Sequence, residues 1–319
     1  MAVLVLRHVI GRLLLAIPML LAVTFGTFVL LYSIGDPAAA IAGDSASAEE
    51  IERIRQDNGF DRPIVAQYAS WLGGVLTGDL GDSIRNRGTV GHLVGQHLPP
   101  TLFLAVLAMG IAILVAVIAG IAVGLRPGGW LDKAVSMLSV LGLAVPNFLV
   151  GLALILVFAI WIPIYPAGGY RSVSEVGLTT SLQYLVLPAF ALATSLICLQ
   201  TRTFRASLIA EYQQDYVRTA RMKGVSEAGV FLRHVARNAA APLVTVIGLE
   251  VSILITGALL VEVVFAVPGI GTLTIDSVRG QDFPVVQALV ALFGAIILAA
   301  NLVADLVALW LNPMARSKA

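Results

Sequence analysis

The residues able to do chemistry fall into two sets. Three acids, Glu250, Glu262 and Asp305, stand inside long apolar runs. An ionisable group at membrane depth is costly, so each is a functional candidate: a proton relay, an ion-pair partner or a helix-end contact. The second set is basic. Arg218, Arg221, Lys223, Arg233 and Arg237 fall within 20 residues, with apolar sequence on both sides. A charged, helix-forming insert between two membrane spans is suited to touching something outside the bilayer. Beyond these sets the chemistry is thin. The four histidines show no paired cysteine or carboxylate spacing, so no metal site is expected. Cys198 is the single cysteine and cannot form an internal disulfide. No G-x-x-x-x-G-K-S/T run is present, so the chain has no phosphate loop of its own. No Ser–His–Asp or paired-carboxylate pattern points to an enzyme, and no cofactor site is expected.

The elements that must carry these residues are membrane spans. The chain of 319 residues is 58% hydrophobic and 12% charged, where soluble domains hold about 25% charged residues. A net charge of +1 gives no reason to expect nucleic acid as a partner. Six spans are read at 9–34, 99–125, 133–160, 182–203, 241–265 and 285–311. Pro18 kinks the first and Pro99-Pro100 opens the second. Pro146-Asn147 interrupts the third and is a candidate hinge or pore-lining bend. Glu250 and Glu262 lie in the fifth span and Asp305 in the sixth, with Arg202, Arg237 or a partner subunit as expected counter-charges for Glu250 and Asp305. Gly120 and Gly124 form a GxxxG face for close helix packing. Arg7 precedes the first span and Arg12 lies in its first turn, and the positive charges of the short loops place both termini and the basic stretch in the cytoplasm. The uncharged run from Leu13 through Gly35 exceeds the 7–15 residues of a signal-peptide core, so it is read as a retained span.

Residues 35–98 are polar. Ser47 with Glu50 makes a capping box that opens a helix closing at Asn58-Gly59. Pro63 opens a second helix that ends at Gly78, with Ile64, Tyr68, Trp71, Leu72 and Val75 as its apolar stripe. This amphipathic pair either lies in the membrane interface or caps the mouth of its own bundle. Pro268, Gly269 and Gly271 mark a tight outer turn.

The basic stretch reads as an elbow. One helix runs through Tyr216, Thr219, Ala220 and Lys223 and stops at Gly224, a left-handed C-terminal cap. A second starts with Ser226 as N-cap and Glu227 in its first turn. Val230, Phe231, His234 and Val235 then share one face at helical spacing, an apolar ridge expected to dock into a groove.

The run Tyr216-Val217-Arg218-Thr219-Ala220-Arg221-Met222-Lys223-Gly224 resembles the coupling loop of permease subunits in bacterial ATP-driven importers. Arg218-Thr219-Ala220 stands in the place of that loop's Glu-Ala-Ala. With Arg233-His234 and Arg237-Asn238-Ala239 after it, the stretch is similar to the dipeptide and oligopeptide permease family, and the chain resembles the first of that family's two permeases. Gly35-Asp36-Pro37, Phe60-Asp61-Arg62-Pro63, Gln67-Tyr68, Trp71-Leu72, Gly78-Asp79-Leu80-Gly81 and Asp282-Phe283-Pro284-Val285-Val286-Gln287 are similar to family segments as well. Three places depart from the pattern: Ile34 replaces a proline, Asn312 stands where Asp is common, and Pro242 lies far behind Gly224.

The resemblance implies an all-α, six-helix transmembrane domain of a type I ABC importer with an extracytoplasmic amphipathic insert. Residues 1–34 are then the cytoplasmic N-terminus and first span, 35–98 the insert, 99–311 the permease core with a coupling region at 204–240, and 312–319 a cytoplasmic tail. It implies half of a translocation pathway for di- and oligopeptides in a bacterial inner membrane. The implied partners are a second permease, an external peptide-binding protein, and two ATPase subunits that hold ATP and Mg. The implied coupling residues are Tyr216, Arg218, Thr219, Ala220, Arg221, Lys223, Gly224, Val230, Phe231, Arg233, His234 and Val235. Nickel or glutathione import is the alternative within the family, and a proton-coupled secondary transporter is the alternative outside it.

Overall fold

A computed structural model describes the backbone of residues 2–43, 45–86 and 88–311, and their side chains except those of 2–9, 13, 305 and 308–311. The tail at 312–319 and the side chain of Asp305 therefore lie outside the described residues. In chain order the helices are α1 (Ala2–Ile34), α2 (Pro37–Ala42), α3 (Ala48–Asp57), α4 (Ile64–Thr77), α5 (Val90–Gly124), α6 (Trp130–Ala144) and α7 (Asn147–Ile155). They continue with α8 (Val173–Tyr212), α9 (Asp215–Met222), α10 (Glu227–Val230), α11 (Ala236–Val264), α12 (Ile270–Arg279) and α13 (Phe283–Leu311). Wider π-helical turns extend α7 over Leu156–Trp161 and join α10 to α11 over Phe231–Val235. Among the described residues five helices are long and apolar enough to cross a membrane, and α6 with α7 completes a sixth if that bent pair is one span.

The expected kink in the third span is a full break. Pro146 bars helical geometry at the residue before it, so Val145 is extended (φ −91°, ψ 123°) and α7 restarts beyond the proline. The two halves bend by 102°. Other boundaries move outward. Thr89 caps α5, its Oγ1 accepting from the His92 amide at 3.3 Å, so Pro99 and Pro100 sit inside this helix instead of opening it. A capping box of Ser172 and Glu175 starts α8 well before residue 182, and Gly177 (φ 79°) then breaks its first turns.

Two compact units divide the chain: residues 1–10, 102–267 and 299–319 form one, and 11–101 with 268–298 the other. The first unit is organised on α8. Leu185, Leu192, Leu196 and Phe265 are fully buried in its core. The GxxxG face of α5 meets α8 as its spacing predicts: a Cβ on Gly120 would lie 2.8 Å from Phe204, and one on Gly124 3.0 Å from Leu208. Glycine here lets two backbones approach, which is how helices associate where solvent gives no hydrophobic drive.

The second unit contains α3 and α4 where the sequence places them. Ser47 accepts from the Glu50 amide at 3.2 Å, and α4 ends at Gly78 in the left-handed region (φ 87°). Two of its helices are not foreseen. In α2, Asp36 caps through the Ala38 amide at 3.0 Å, with Pro37 as the first helical residue. In α12, Ile270 and Leu273 are buried against Val285 and Leu289 of α13. The turn expected at 268–271 is correspondingly shorter. Gly269 is the N-cap of α12, and Gly271 already lies buried within that helix.

Candidate coupling site

The elbow is built on the amphipathic helix α9. Val217 and Ala220 are buried, while Tyr216, Arg218, Thr219 and Arg221 face out. The helix ends in a Schellman motif: the Val225 amide donates to Ala220 O at 3.2 Å, and the Gly224 amide to Arg221 O at 2.9 Å. That pattern needs a left-handed residue, and Gly224 sits at φ 81° with open space where a Cβ would go. Ser226 then caps α10 through the Gly229 amide at 3.3 Å.

Polar contacts tie the two arms together. The Arg221 guanidinium spans the turn to both Glu227 oxygens at 2.7 and 3.0 Å and lies 5.7 Å from the Tyr212 ring. The Tyr216 hydroxyl donates to Glu211 and accepts from Asn238 Nδ2 at 3.2 Å. Burial and the bond to Glu211 hold the Tyr216 hydroxyl above its usual pKa, so it stays a donor. Behind the elbow, Asp132 accepts two bonds from Arg205 of α8, the second at 2.7 Å, and one from the Gly128 amide at 2.8 Å. The Asp132 side chain is almost fully buried.

The apolar ridge is corrected by this geometry. Val230 and Val235 are both 0% exposed and pack with Val217, Leu208 and Leu243 inside the chain's own core. They are the underside of the elbow and cannot face a partner. The cause is the π turn, whose five-residue spacing brings residue 235 beneath residue 230. It leaves Phe231 half-buried and turns His234 outward beside the Tyr216 ring. Ala220 is inward too. The exposed residues of the elbow are instead Arg218, Thr219, Lys223, Gly224 and Arg233, with two apolar residues the sequence reading passed over, Met222 at 81% exposure and Leu232 at 70%. Their signal was available: each is a large apolar side chain amid charges, off the inward positions.

The remaining candidates separate. Glu250 is fully buried in α11, and within the chain it is met by the Gln200 amide of α8 at 2.5 Å and by neither Arg202 nor Arg237, the two arginines offered as counter-charges beside a partner subunit. Glu262 is buried near the end of α11. Pro146 and Asn147 line a cavity of about 480 Å³ with Ser252, Thr256 and Gly257 of α11. Gly257 would place a Cβ 3.2 Å from Asn147 Nδ2, so the break in the third span is packed against the fifth.

The described residues thus form a helical membrane bundle with an exposed basic elbow between two long spans. Two family models cover almost the whole sequence. "Binding-protein-dependent transport system inner membrane component" matches residues 112–317, and the N-terminal membrane component of the same systems matches 5–105. The chain belongs to this family. It is therefore a multi-pass permease of an ABC transport system of the inner membrane, with the all-α type I fold, and is not itself an enzyme. A probable peptide ABC transporter permease of Sinorhizobium fredii is 35% identical over 97% of this chain and 99% of its own length. An oligopeptide transport system permease of Bacillus subtilis is 35% identical over 96% and 98%. A glutathione transport system permease of Escherichia coli O6:H1 is 37% identical over 98% and 100%.

Proposed function

We propose that the chain forms half of the translocation pathway of an importer for short peptides, paired with a second permease, served by an external peptide-binding protein and driven by two ATPase subunits. ATP and Mg belong to those ATPases. Both termini and the elbow at 215–237 lie in the cytoplasm, and residues 35–98 lie outside. The observation that carries the reading is the elbow: Arg218, Met222, Lys223 and Leu232 are exposed on α9, which starts three residues after α8 ends, and on the π turn that runs directly into α11. Moving a two-state bundle from 1:99 to 99:1 takes about 5.5 kcal/mol of differential binding. A rigidly rooted surface can pass that on from an ATPase dimer, whereas a loose tether could not.

The peptide assignment is supported by the relatives named for peptide and oligopeptide transport. Glutathione import is the second reading, supported by relatives of equal similarity. The deciding experiment reconstitutes the two permeases, the ATPases and the binding protein in vesicles, and follows uptake of labelled trialanine and labelled glutathione. ATP-dependent trialanine uptake is expected. Glutathione uptake alone would replace the peptide reading, and transport by this chain without ATPases would overturn both. Impermeant labelling of cysteines at Ser47, Ser174 and Arg279, with none at Ser226, checks the orientation in intact cells.

A further inference from the structure

The Asp132–Arg205 pair joins the root of the elbow to the third span. Arg205 lies about two turns before α8 ends at Tyr212. The Tyr212 ring in turn carries the Arg221 guanidinium of the elbow. Asp132 stands in the first turn of α6. The contact is a fork: Nε of Arg205 donates to one carboxylate oxygen and Nη2 to the other at 2.7 Å. The Gly128 amide, in the turn between α5 and α6, donates to the same carboxylate at 2.8 Å. Two bonds from one planar group fix direction as well as distance, which a lysine contact would not. An exposed pair would hold little, but here the Asp132 side chain is 4% and that of Arg205 29% exposed.

The helix held by this pair has few other anchors. Inside the chain α6 packs on α8, where a Cβ on Gly142 would lie 2.5 Å from Cys198 Sγ. On its other faces Met137, Leu138 and Val140 are exposed. Beyond Pro146 the anchors change: α7 packs on both α8 and α11, and Asn147 lies against Gly257. The extended residue Val145 and the 102° bend interrupt the helix between the two halves. Thus α6 is fastened to the elbow end of α8 by the pair and jointed to α7 at the break.

We propose that the Asp132–Arg205 pair passes movement of the elbow's root in α8 to α6, so that this half of the third span turns about the break at Pro146 during the ATPase cycle. Asp132 and Arg205 are then positioning residues for transport. The proposal rests on the reading of the chain as half of an ATP-driven importer. It separates two ways of failing: disturbing the elbow stops hydrolysis and uptake together, whereas cutting this strut leaves the ATPase contact in place.

The test uses the complete system in vesicles with labelled trialanine, its assembly verified by co-purification. Asp132→Asn and Arg205→Met should each lower uptake per ATP hydrolysed by at least about fivefold, the lower end of typical couplings, while ATP hydrolysis continues at the wild-type rate. Arg205→Lys keeps the charge and loses the fork, so it should fall in between. The double variant Asp132→Asn/Arg205→Met should lose no more than the worse single one. Uptake and hydrolysis falling together, uptake per ATP unchanged in all three single variants, or losses that multiply in the double variant would each overturn the proposal. A second measurement is independent of the substrate. Spin labels at Leu138 of α6 and Leu152 of α7, both exposed, should change their separation when ATP and vanadate trap the complex, and Asp132→Asn should suppress that change. A wild-type separation that ATP leaves unaltered overturns the proposal even with normal uptake. ATP-independent uptake beside an altered separation defeats the importer reading alone.

Discussion

The elbow at 215–237 and the segment at 35–89 are both polar insertions between spans, yet they are held in different ways. The longer insert is pinned at distance by buried side chains. Asp282, at the start of α13, accepts from the Ser83 hydroxyl at 2.5 Å and from the Ile84 and Arg85 amides at 3.2 and 3.4 Å. Tyr68 of α4 shares a hydrogen bond of 2.8 Å with Thr24 of α1 and packs edge-on against Phe25 and Phe28. The elbow has local fastenings: a Schellman turn, one exposed ion pair and a small apolar underside. An exposed ion pair adds little stability. A segment pinned by buried polar bonds is fixed with the bundle, whereas one held by a turn and its own roots can transmit an angle. The first should fail by unfolding and the second by losing its geometry while the fold survives.

That contrast can be tested from its strongest element down. Asp282→Ala leaves two backbone amides and a buried hydroxyl without their acceptor and should destabilise the insert by about 2–4 kcal/mol. Thermal unfolding of the purified chain and proteolytic cleavage near residues 83–86 both read this. An unchanged melting profile would show that the insert is not pinned there. Asp132→Ala removes one partner of a largely buried pair. It should cost on the order of 2–3 kcal/mol, below the full buried-pair figure because Arg205 is partly exposed. Its double variant with Arg205→Ala should cost less than the two single losses summed, and strict additivity would mean that the pair carries no coupling. Tyr68→Phe removes only the hydroxyl and should lower stability by about 1 kcal/mol, with ATP-driven uptake unaffected.

Local chemistry made much of this readable beforehand. The Ser47 N-cap, the Pro63 start, the Gly78 and Gly224 stops and the GxxxG face of α5 are contained in short sequence windows, and each appears where its residues place it. What escaped is non-local or depends on register. Asp282 stands out in the sequence only as part of a segment similar to the family, but its carboxylate serves a loop 199 residues earlier in the sequence. Gln200 as the counterpart of Glu250 joins α8 to α11, 50 residues apart. The ridge of Val230 and Val235 was drawn on an α-helical wheel, and one π turn moves it from surface to core. At Pro146 the sequence marks the place of the bend, but its 102° follows from α7 packing on α8 and α11.

The central claim is that the elbow transmits the ATPase cycle through the angle set at Gly224, and Gly224→Val tests it most directly. No neighbour lies within 4 Å of the position of the added Cβ, so the substitution acts through the left-handed backbone alone. That strain is on the order of 1–2 kcal/mol, small enough for insertion and pairing with the sister permease to persist. In reconstituted vesicles, with assembly verified by co-purification, substrate-stimulated ATP hydrolysis and peptide uptake should both fall at least about tenfold, the scale of roughly 1.4 kcal/mol in the driven equilibrium. A fully assembled Gly224→Val complex with wild-type uptake would show that this elbow is not the coupling element.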